Sequence, residues 1–242
     1  MGDAPQFTSL KPPPALLMNC SEQTRLTREK TVIVLGCSRG GTSAVAGAIQ
    51  SFGIPMSDER LRDGHYETPL LKTYFDPAAG LPLEFGQYIE TMNNRHPIWG
   101  WKAFADENNL AAFGRCIRNP HVVAVFRDFV ALTQRRLDTG EHKRAPWPRA
   151  VYAEMREEIA HLLSLVEVLP WPTLLVSFER LKTTPDLVIR QIAEFLGLDI
   201  TDEALNAAAC TISPIGGYLI QTPPEEAQDS HGDSPCQPSP LP

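Results

Sequence analysis

The sequence lacks features that define several large classes of protein. No apolar run reaches the ~18 residues that a membrane-spanning helix needs, and the first residues do not have the pattern of a signal peptide. The five cysteines are scattered without a C-x-x-C pair, which argues against a zinc site and against a disulfide framework. We therefore expect a cytoplasmic protein with no membrane span and no bound metal.

Positive charge is also scarce. The formal net charge is -7 at pH 7, so we expect no nonspecific binding to nucleic acid. This net charge is still compatible with a basic cleft on an otherwise acidic surface. The hydrophobic fraction of 43% suffices for one sizeable core. We predict one domain over residues 30–220, preceded by a loose extension over residues 1–29. Residues 221–242 are rich in proline, serine and acidic residues, which predicts a disordered tail.

Strand-like and helix-like segments alternate between these two ends. A continuous apolar, β-branched run predicts a parallel strand buried on both faces at residues 31–36, and further strands are predicted at residues 97–103, 121–127 and 172–178. Helical patterns lie at residues 41–53, 107–119, 128–138, 149–169 and 184–198. This alternation predicts an α/β fold, a three-layer α/β/α sandwich with a central parallel sheet. Ligands of such folds bind at the carboxyl ends of the strands.

A glycine-rich turn follows the first of these strands, in the segment "GCSRGGTS". Gly36 and Gly41 have the spacing of a P-loop, but Thr42 occupies the position of the P-loop lysine and Ser43 that of the hydroxyl residue. Backbone amides at a helix N-terminus can bind an anion without that lysine. The turn therefore predicts a phosphate-binding site of an unusual kind.

The cation of this turn lies inside it, at Arg39. The strand "VVAVF" ends in Arg127, so no hydrophobic strand ends in the acidic residue that would help to hold magnesium. This combination favours a smaller anion, bound without metal, over a magnesium triphosphate.

The segment "GCSRGGTS" resembles the 5′-phosphosulfate loop of the sulfotransferases that use 3′-phosphoadenosine 5′-phosphosulfate (PAPS), with Gly40 where the family usually has serine. The resemblance implies the P-loop nucleoside triphosphate hydrolase-like fold of that family, in the form found in bacterial members. It also implies that the donor is bound by Ser38, Arg39, Gly40, Gly41, Thr42 and Ser43.

Two later segments extend the resemblance over residues 31–200. The run "VVAVFRD" and the helix after it are similar to the family's 3′-phosphate segment, in which Arg127 matches the arginine and Arg135 stands in place of a serine. Two alternatives stay open for Arg135: it binds the 3′-phosphate as a second arginine, for which its geometry is suited, or it points into solvent. The segment "LLVSFERLKTTPDLVIRQIAEFLGL" is similar to the family's strand, turn and helix, with Phe178 in place of tyrosine.

The resemblance also implies a base that takes the proton from the acceptor. Glu67 lies in a Gly-x-x-Glu pattern that bacterial relatives share, with His65 as the reserve, although an acidic residue there is also typical of a helix start. Lys102 ends a Trp-Gly-Trp-Lys strand similar to one in bacterial relatives, and it either faces the sulfuryl group or lies on the surface. Trp99 and Trp101 are expected in the core or in the acceptor wall.

These observations predict a PAPS-dependent sulfotransferase that moves a sulfuryl group to an acceptor hydroxyl without metal and releases adenosine 3′,5′-bisphosphate. The catalytic candidates are Glu67, Arg39 and Lys102. The acceptor is a small molecule, a carbohydrate or a peptide. Two alternatives stay open: a non-catalytic nucleotide-binding protein that retains the fold, and a P-loop small-molecule kinase.

Overall fold

The computed structural model describes residues 15–57, 66, 83–103, 110, 114, 116–139 and 148–212. The strands are β1 (Ala15–Met18), β2 (Lys30–Gly36), β3 (Ile98–Ala103), β4 (Pro120–Phe126) and β5 (Thr173–Ser177). The helices are α1 (Glu22–Arg25), α2 (Thr42–Gln50), α3 (Leu83–Arg95), α4 (Phe129–Asp138), α5 (Pro148–Val168), α6 (Phe178–Thr183), α7 (Pro185–Phe195) and α8 (Asp202–Cys210).

The strands form one sheet in the order β1-β5-β4-β2-β3. β2 is parallel to both of its neighbours, and β4 is parallel to β5. Every residue of β2 is buried, which agrees with its continuous run of branched apolar side chains. The carboxyl ends of β2, β3 and β4 therefore lie side by side at one edge of the sheet.

Helices cover both faces of the sheet. Val32 and Val34 point to one face and pack with apolar residues of α2, α7 and α8. Ile33 and Leu35 point to the other face, where they join apolar residues of α3 and α5. The alternation along β2 thus divides the core into two layers, and the predicted α/β fold with a central sheet is confirmed.

The predicted strands agree with β2, β3, β4 and β5 to within one residue at each end. Four predicted helices correspond to α2, α4, α5 and α7. The helix predicted over residues 107–119 is wrong at its C-terminal end, because residues 116–119 form a turn and bends. Asn119 there has a φ of +38°, a left-handed backbone that cannot continue a right-handed helix. Most of the remainder of that segment lies outside the described residues.

The N-terminal region is more ordered than the sequence predicted. β1 pairs antiparallel with β5, with Ala15 opposite Val176 and Met18 opposite Thr173. The sheet is therefore mixed rather than wholly parallel, and part of the expected loose extension belongs to it. Within the part of the chain that the structure describes, no helix is both long and apolar enough to cross a membrane.

Candidate active site

The glycine-rich turn connects the end of β2 to the start of α2. The carbonyl oxygen of Cys37 accepts a hydrogen bond of 2.9 Å from the amide of Gly40, which closes a tight turn. Arg39 has a φ of +64° and Gly41 a φ of +96°. A left-handed residue other than glycine is uncommon and tends to occur at functional sites. Such alternation of backbone handedness is what turns successive amides toward one concave anion site.

The glycines of this turn are required by close packing. A Cβ atom on Gly36 would lie 2.6 Å from the methyl group of Thr42 and 2.9 Å from the carbonyl oxygen of Val125. A Cβ atom on Gly41 would overlap the ring of Phe178. The turn is thus held between β4 and α6, and its backbone is fixed by its neighbours.

A lysine from the adjacent strand lies beside the turn. Thr42, which occupies the position of the P-loop lysine, is only 9% exposed, and its methyl group lies beside Gly36. Lys102 near the end of β3 donates a hydrogen bond of 3.1 Å from Nζ to Oγ of Ser43. The amino group of Lys102 thus lies beside the glycine-rich turn, and its role toward a sulfuryl group stays a prediction. Trp99 and Trp101 are fully buried and stack on each other, so they belong to the core.

Arg127 reaches the same turn from the other side. It follows β4 directly, and its Nη1 donates a hydrogen bond of 2.8 Å to the carbonyl oxygen of Arg39. Its guanidinium carbon lies 5.1 Å from the centre of the Phe178 ring, a cation–π contact. Its buried Nε has no hydrogen-bond partner within the described ranges. Burial lowers the pKa of Arg127 below its ordinary value, with the charge of Arg135 acting in the same direction.

Arg135 lies two turns along α4 from Arg127. Its positive charge is close enough to lower the pKa of Arg127, which means that the two cations repel each other. Its neighbour Arg136 forms ion pairs with Glu154 and Glu158 of α5. Arg127 and Arg135 form a corner beside the loop, where the negative charges of Glu179 and Asp128 act on the pKa of Arg127 in the opposite direction to Arg135.

Two acidic residues that the sequence analysis missed brace this site. The carboxylate of Glu179 at the start of α6 accepts a hydrogen bond of 2.9 Å from the amide of Asp128, and Asp128 caps α4 through Ala131. The carboxylate of Glu158 accepts from the amide of Ser38 at 3.2 Å. Glu179 lies in the segment "LLVSFERLKTTPDLVIRQIAEFLGL", which carries part of the family resemblance, so the sequence could have indicated it. Nothing in the sequence pattern of α5 distinguishes Glu158.

The two candidates for the base, Glu67 and His65, lie outside the described residues. Tyr66 is described, and its carbonyl oxygen accepts a hydrogen bond of 2.9 Å from the amide of Lys102. Burial raises the pKa of the Tyr66 hydroxyl. Among the residues that the structure describes, no group of His, Cys, Asp or Glu side chains has the arrangement of a metal site.

Comparison with protein families connects this geometry to one of them. A model of the sulfotransferase domain matches residues 116–213. This range contains β4, Arg127, Arg135 and the segment from β5 to α8, and it leaves out the glycine-rich turn. None of the curated proteins matches the chain.

A solved structure agrees with this match at the level of the fold. The sulfotransferase domain of the Synechococcus olefin synthase superposes with a TM-score of 0.52 and 17% identity, over 74% of this chain and 76% of that one. A mouse sulfotransferase complexed with PAP gives a TM-score of 0.49 and 12% identity, over 79% and 68%. A sulfotransferase from Mycobacterium tuberculosis gives 0.46 and 13%, over 77% and 72%.

Proposed function

We propose that this chain is a sulfotransferase that takes its sulfuryl group from PAPS and passes it to an acceptor hydroxyl, with release of adenosine 3′,5′-bisphosphate. One observation carries the proposal. Lys102 from β3 and Arg127 from β4 converge on the loop that follows β2. Three neighbouring strands thus bring cations and backbone amides to one point of the sheet edge.

The loop and Lys102 fit the reacting end of the donor. When the sulfuryl group leaves, negative charge develops on the 5′-phosphate oxygen, and preorganised donors around that oxygen stabilise the transition state. The amides at the start of α2 supply such donors, and the helix dipole adds to their effect. Lys102 adds a full charge beside Ser43, and Arg39 adds another cation inside the loop.

The corner formed by Arg127 and Arg135 fits the 3′-phosphate. Two repelling guanidinium groups become favourable neighbours when a phosphate dianion lies between them, because the repulsion turns into two charge-assisted contacts. Arg127 is already fixed by its hydrogen bond to the Arg39 carbonyl. The usual serine at position 135 would donate one neutral hydrogen bond, and the arginine here offers a stronger contact.

The proposed base on the acceptor side of the reaction is inferred from the sequence. Glu67 is the proposed base, with His65 as the reserve, and both are sequence neighbours of Tyr66, whose backbone pairs with Lys102. In-line transfer needs a base that removes the proton from the acceptor hydroxyl as the new S–O bond forms. A small molecule, a carbohydrate or a peptide would fit this role.

Calorimetric titration with adenosine 3′,5′-bisphosphate tests the donor site, with adenosine 5′-monophosphate as the matched ligand that lacks the 3′-phosphate. We expect the bisphosphate to bind more tightly, and Arg135→Ser to weaken it by about tenfold, the value of one charge-assisted contact. The same variant should leave the monophosphate unchanged. Arg39→Ala should weaken both ligands, because Arg39 lies in the loop that both would occupy.

Three other outcomes have distinct meanings. Absence of bisphosphate binding to the wild-type protein would contradict the proposal. Magnesium-dependent binding of ATP in its place would favour the small-molecule kinase. Tight bisphosphate binding without sulfuryl transfer to any member of a broad hydroxyl acceptor panel would favour the non-catalytic alternative.

A further inference from the structure

The glycine-rich loop is held by the carboxylate of a helix that is distant in sequence and adjacent in space. Glu158 of α5 accepts the amide hydrogen of Ser38 through Oε2 at 3.2 Å. Its other oxygen, Oε1, is paired with Nη1 of Arg136 on α4. The two oxygens of one carboxylate thus join α4 to the phosphate loop.

This contact fixes one particular peptide plane. The amide of Ser38 and the carbonyl of Cys37 belong to the same planar peptide unit. The amide is bound by Glu158, and the carbonyl accepts from the amide of Gly40. The plane is therefore held at both of its ends, and one further peptide unit, Ser38–Arg39, connects it to the Cα of Arg39, whose φ is +64°. The direction of this plane sets where the following amides of the loop point.

The carboxylate itself is held in place by its partner helix. Arg136 is only 15% exposed at its side chain and Glu158 is 34% exposed. Arg136 also contacts Glu154 at 3.6 Å and the sulfur of Met155 at 3.6 Å. An arginine fixed by several contacts restricts the rotamers of the glutamate that it binds. The positive charge of Arg136 also offsets the negative charge of Glu158. Without this offset, a carboxylate beside an anion site would repel the ligand.

We propose that Glu158, held by Arg136, is a positioning residue for the phosphate loop, which keeps the backbone of Ser38 to Gly40 in its anion-binding conformation before the ligand arrives. This inference rests on the proposed function for its effect on donor binding. The effect on the loop itself does not depend on that function. Burial raises the pKa of the Cys37 thiol to about 11, and the nearby charge of Glu158 contributes to the rise, which agrees with a carboxylate directly beside the loop.

The chain offers a matched control one turn away. Glu154 lies on the same helix and pairs with the same arginine, whereas the Ser38 amide donates to Glu158. Glu158→Ala and Glu154→Ala each remove one carboxylate partner of Arg136, and only the first removes the contact with Ser38. Glu158→Gln keeps a side-chain oxygen that can accept from the Ser38 amide.

The first measurement is hydrogen exchange at the Ser38 amide in the ligand-free protein. We expect exchange about tenfold faster in Glu158→Ala than in the wild type or in Glu154→Ala, since loss of one charged acceptor corresponds to about that factor. Equal exchange in the two alanine variants would overturn the proposal, whether or not the protein binds any nucleotide.

The second measurement is the Kd for adenosine 3′,5′-bisphosphate, with the thermal midpoint of unfolding recorded for every variant. Glu158→Ala should raise the Kd about tenfold, Glu154→Ala should change it by less than about twofold, and Glu158→Gln should lie between them. A merely structural role would lower the midpoint of Glu158→Ala and leave its Kd unchanged. If the wild type binds no bisphosphate, the proposed function fails, and the exchange measurement alone decides on the loop anchor.

Discussion

Gly41 illustrates how a single residue connects backbone conformation to the site. It is the N-cap of α2, has a φ of +96° and lies directly against the ring of Phe178. Any side chain there meets two separate penalties, one from the left-handed backbone and one from the aromatic ring. The same ring lies under the guanidinium of Arg127. A change at Gly41 therefore disturbs both the loop and the proposed 3′-phosphate contact.

Gly53 allows the two penalties at Gly41 to be separated. Its φ is +80°, and nothing lies within 4 Å of the position that a Cβ atom would take. Gly53→Ala should lower the free energy of unfolding by about 1–2 kcal/mol, the cost of a left-handed alanine. Gly41→Ala should cost more and should also weaken bisphosphate binding, as measured by chemical denaturation and calorimetry.

A Phe178→Ala background completes this comparison. Without the ring, Gly41→Ala should cost less than it does in the wild-type background, because the three atoms nearest to the added Cβ all belong to that ring and the backbone penalty remains. Equal losses for the two glycine variants in the wild-type background would show that the Phe178 ring moves aside without cost.

At the scale of elements, a buried lysine ties two helices to the sheet far from the proposed site. Lys30 at the start of β2 is 1% exposed. Its Nζ donates hydrogen bonds of 2.7 Å to the carbonyl oxygen of Arg25 and 2.6 Å to that of Leu196. These carbonyls lie at the C-terminal ends of α1 and α7, where a cation is favourable. Burial nevertheless lowers the pKa of Lys30 to about 8.

This shift predicts a pH dependence of stability. The pKa of Lys30 is about 8 in the folded protein and 10.5 as its ordinary value, so between these pH values the unfolded chain binds more protons. The free energy of unfolding should therefore rise with pH across this window, by about 1–3 kcal/mol from Lys30 alone. Below pH 8 this contribution is constant.

The measurement is the difference between the wild type and Lys30→Met, followed by chemical denaturation at pH 7.5 and pH 10. Taking the difference is necessary because the raised pKa of Cys37, about 11 against an ordinary 9.0, lowers the free energy of unfolding with rising pH over an overlapping range. The stability gap between the two proteins should widen in favour of the wild type at pH 10. A gap that stays constant with pH would show that Lys30 titrates alike in both states.

At the scale of the whole molecule, the parallel part of the sheet could be predicted because each of its strands is marked by its own residues and by the segment that follows it. β2 and β4 are unbroken apolar, β-branched runs, and each is followed by a turn and a helix. The helix starts at Asp128 and at Pro185 carry ordinary N-terminal signals. The edge at which the site lies follows from the topology of such sheets.

The remaining features depend on contacts between distant parts of the chain. β1 is a strand because its four residues pair with β5, and such a short apolar stretch has no distinct pattern of its own. Lys102 could be placed at a strand end, but its partner Ser43 could not. Glu158 and Ser38 are 120 positions apart, so no spacing rule would have paired them.

β1 provides a test of how far the domain extends toward the N-terminus. Removal of residues 1–18 deletes a strand that pairs with β5 at the edge of the sheet and is separated from β2 and its loop by β5 and β4. The loss of its ladder of hydrogen bonds should lower the free energy of unfolding by about 1–3 kcal/mol. Because the site is remote, the Kd for the bisphosphate should stay within about twofold.

Removal of residues 1–13 leaves β1 whole and is the control. Equal destabilisation by the two truncations would mean that the pairing of β1 with β5 contributes nothing, whereas a large loss of affinity in the longer truncation alone would mean that this edge supports the loop across β5 and β4.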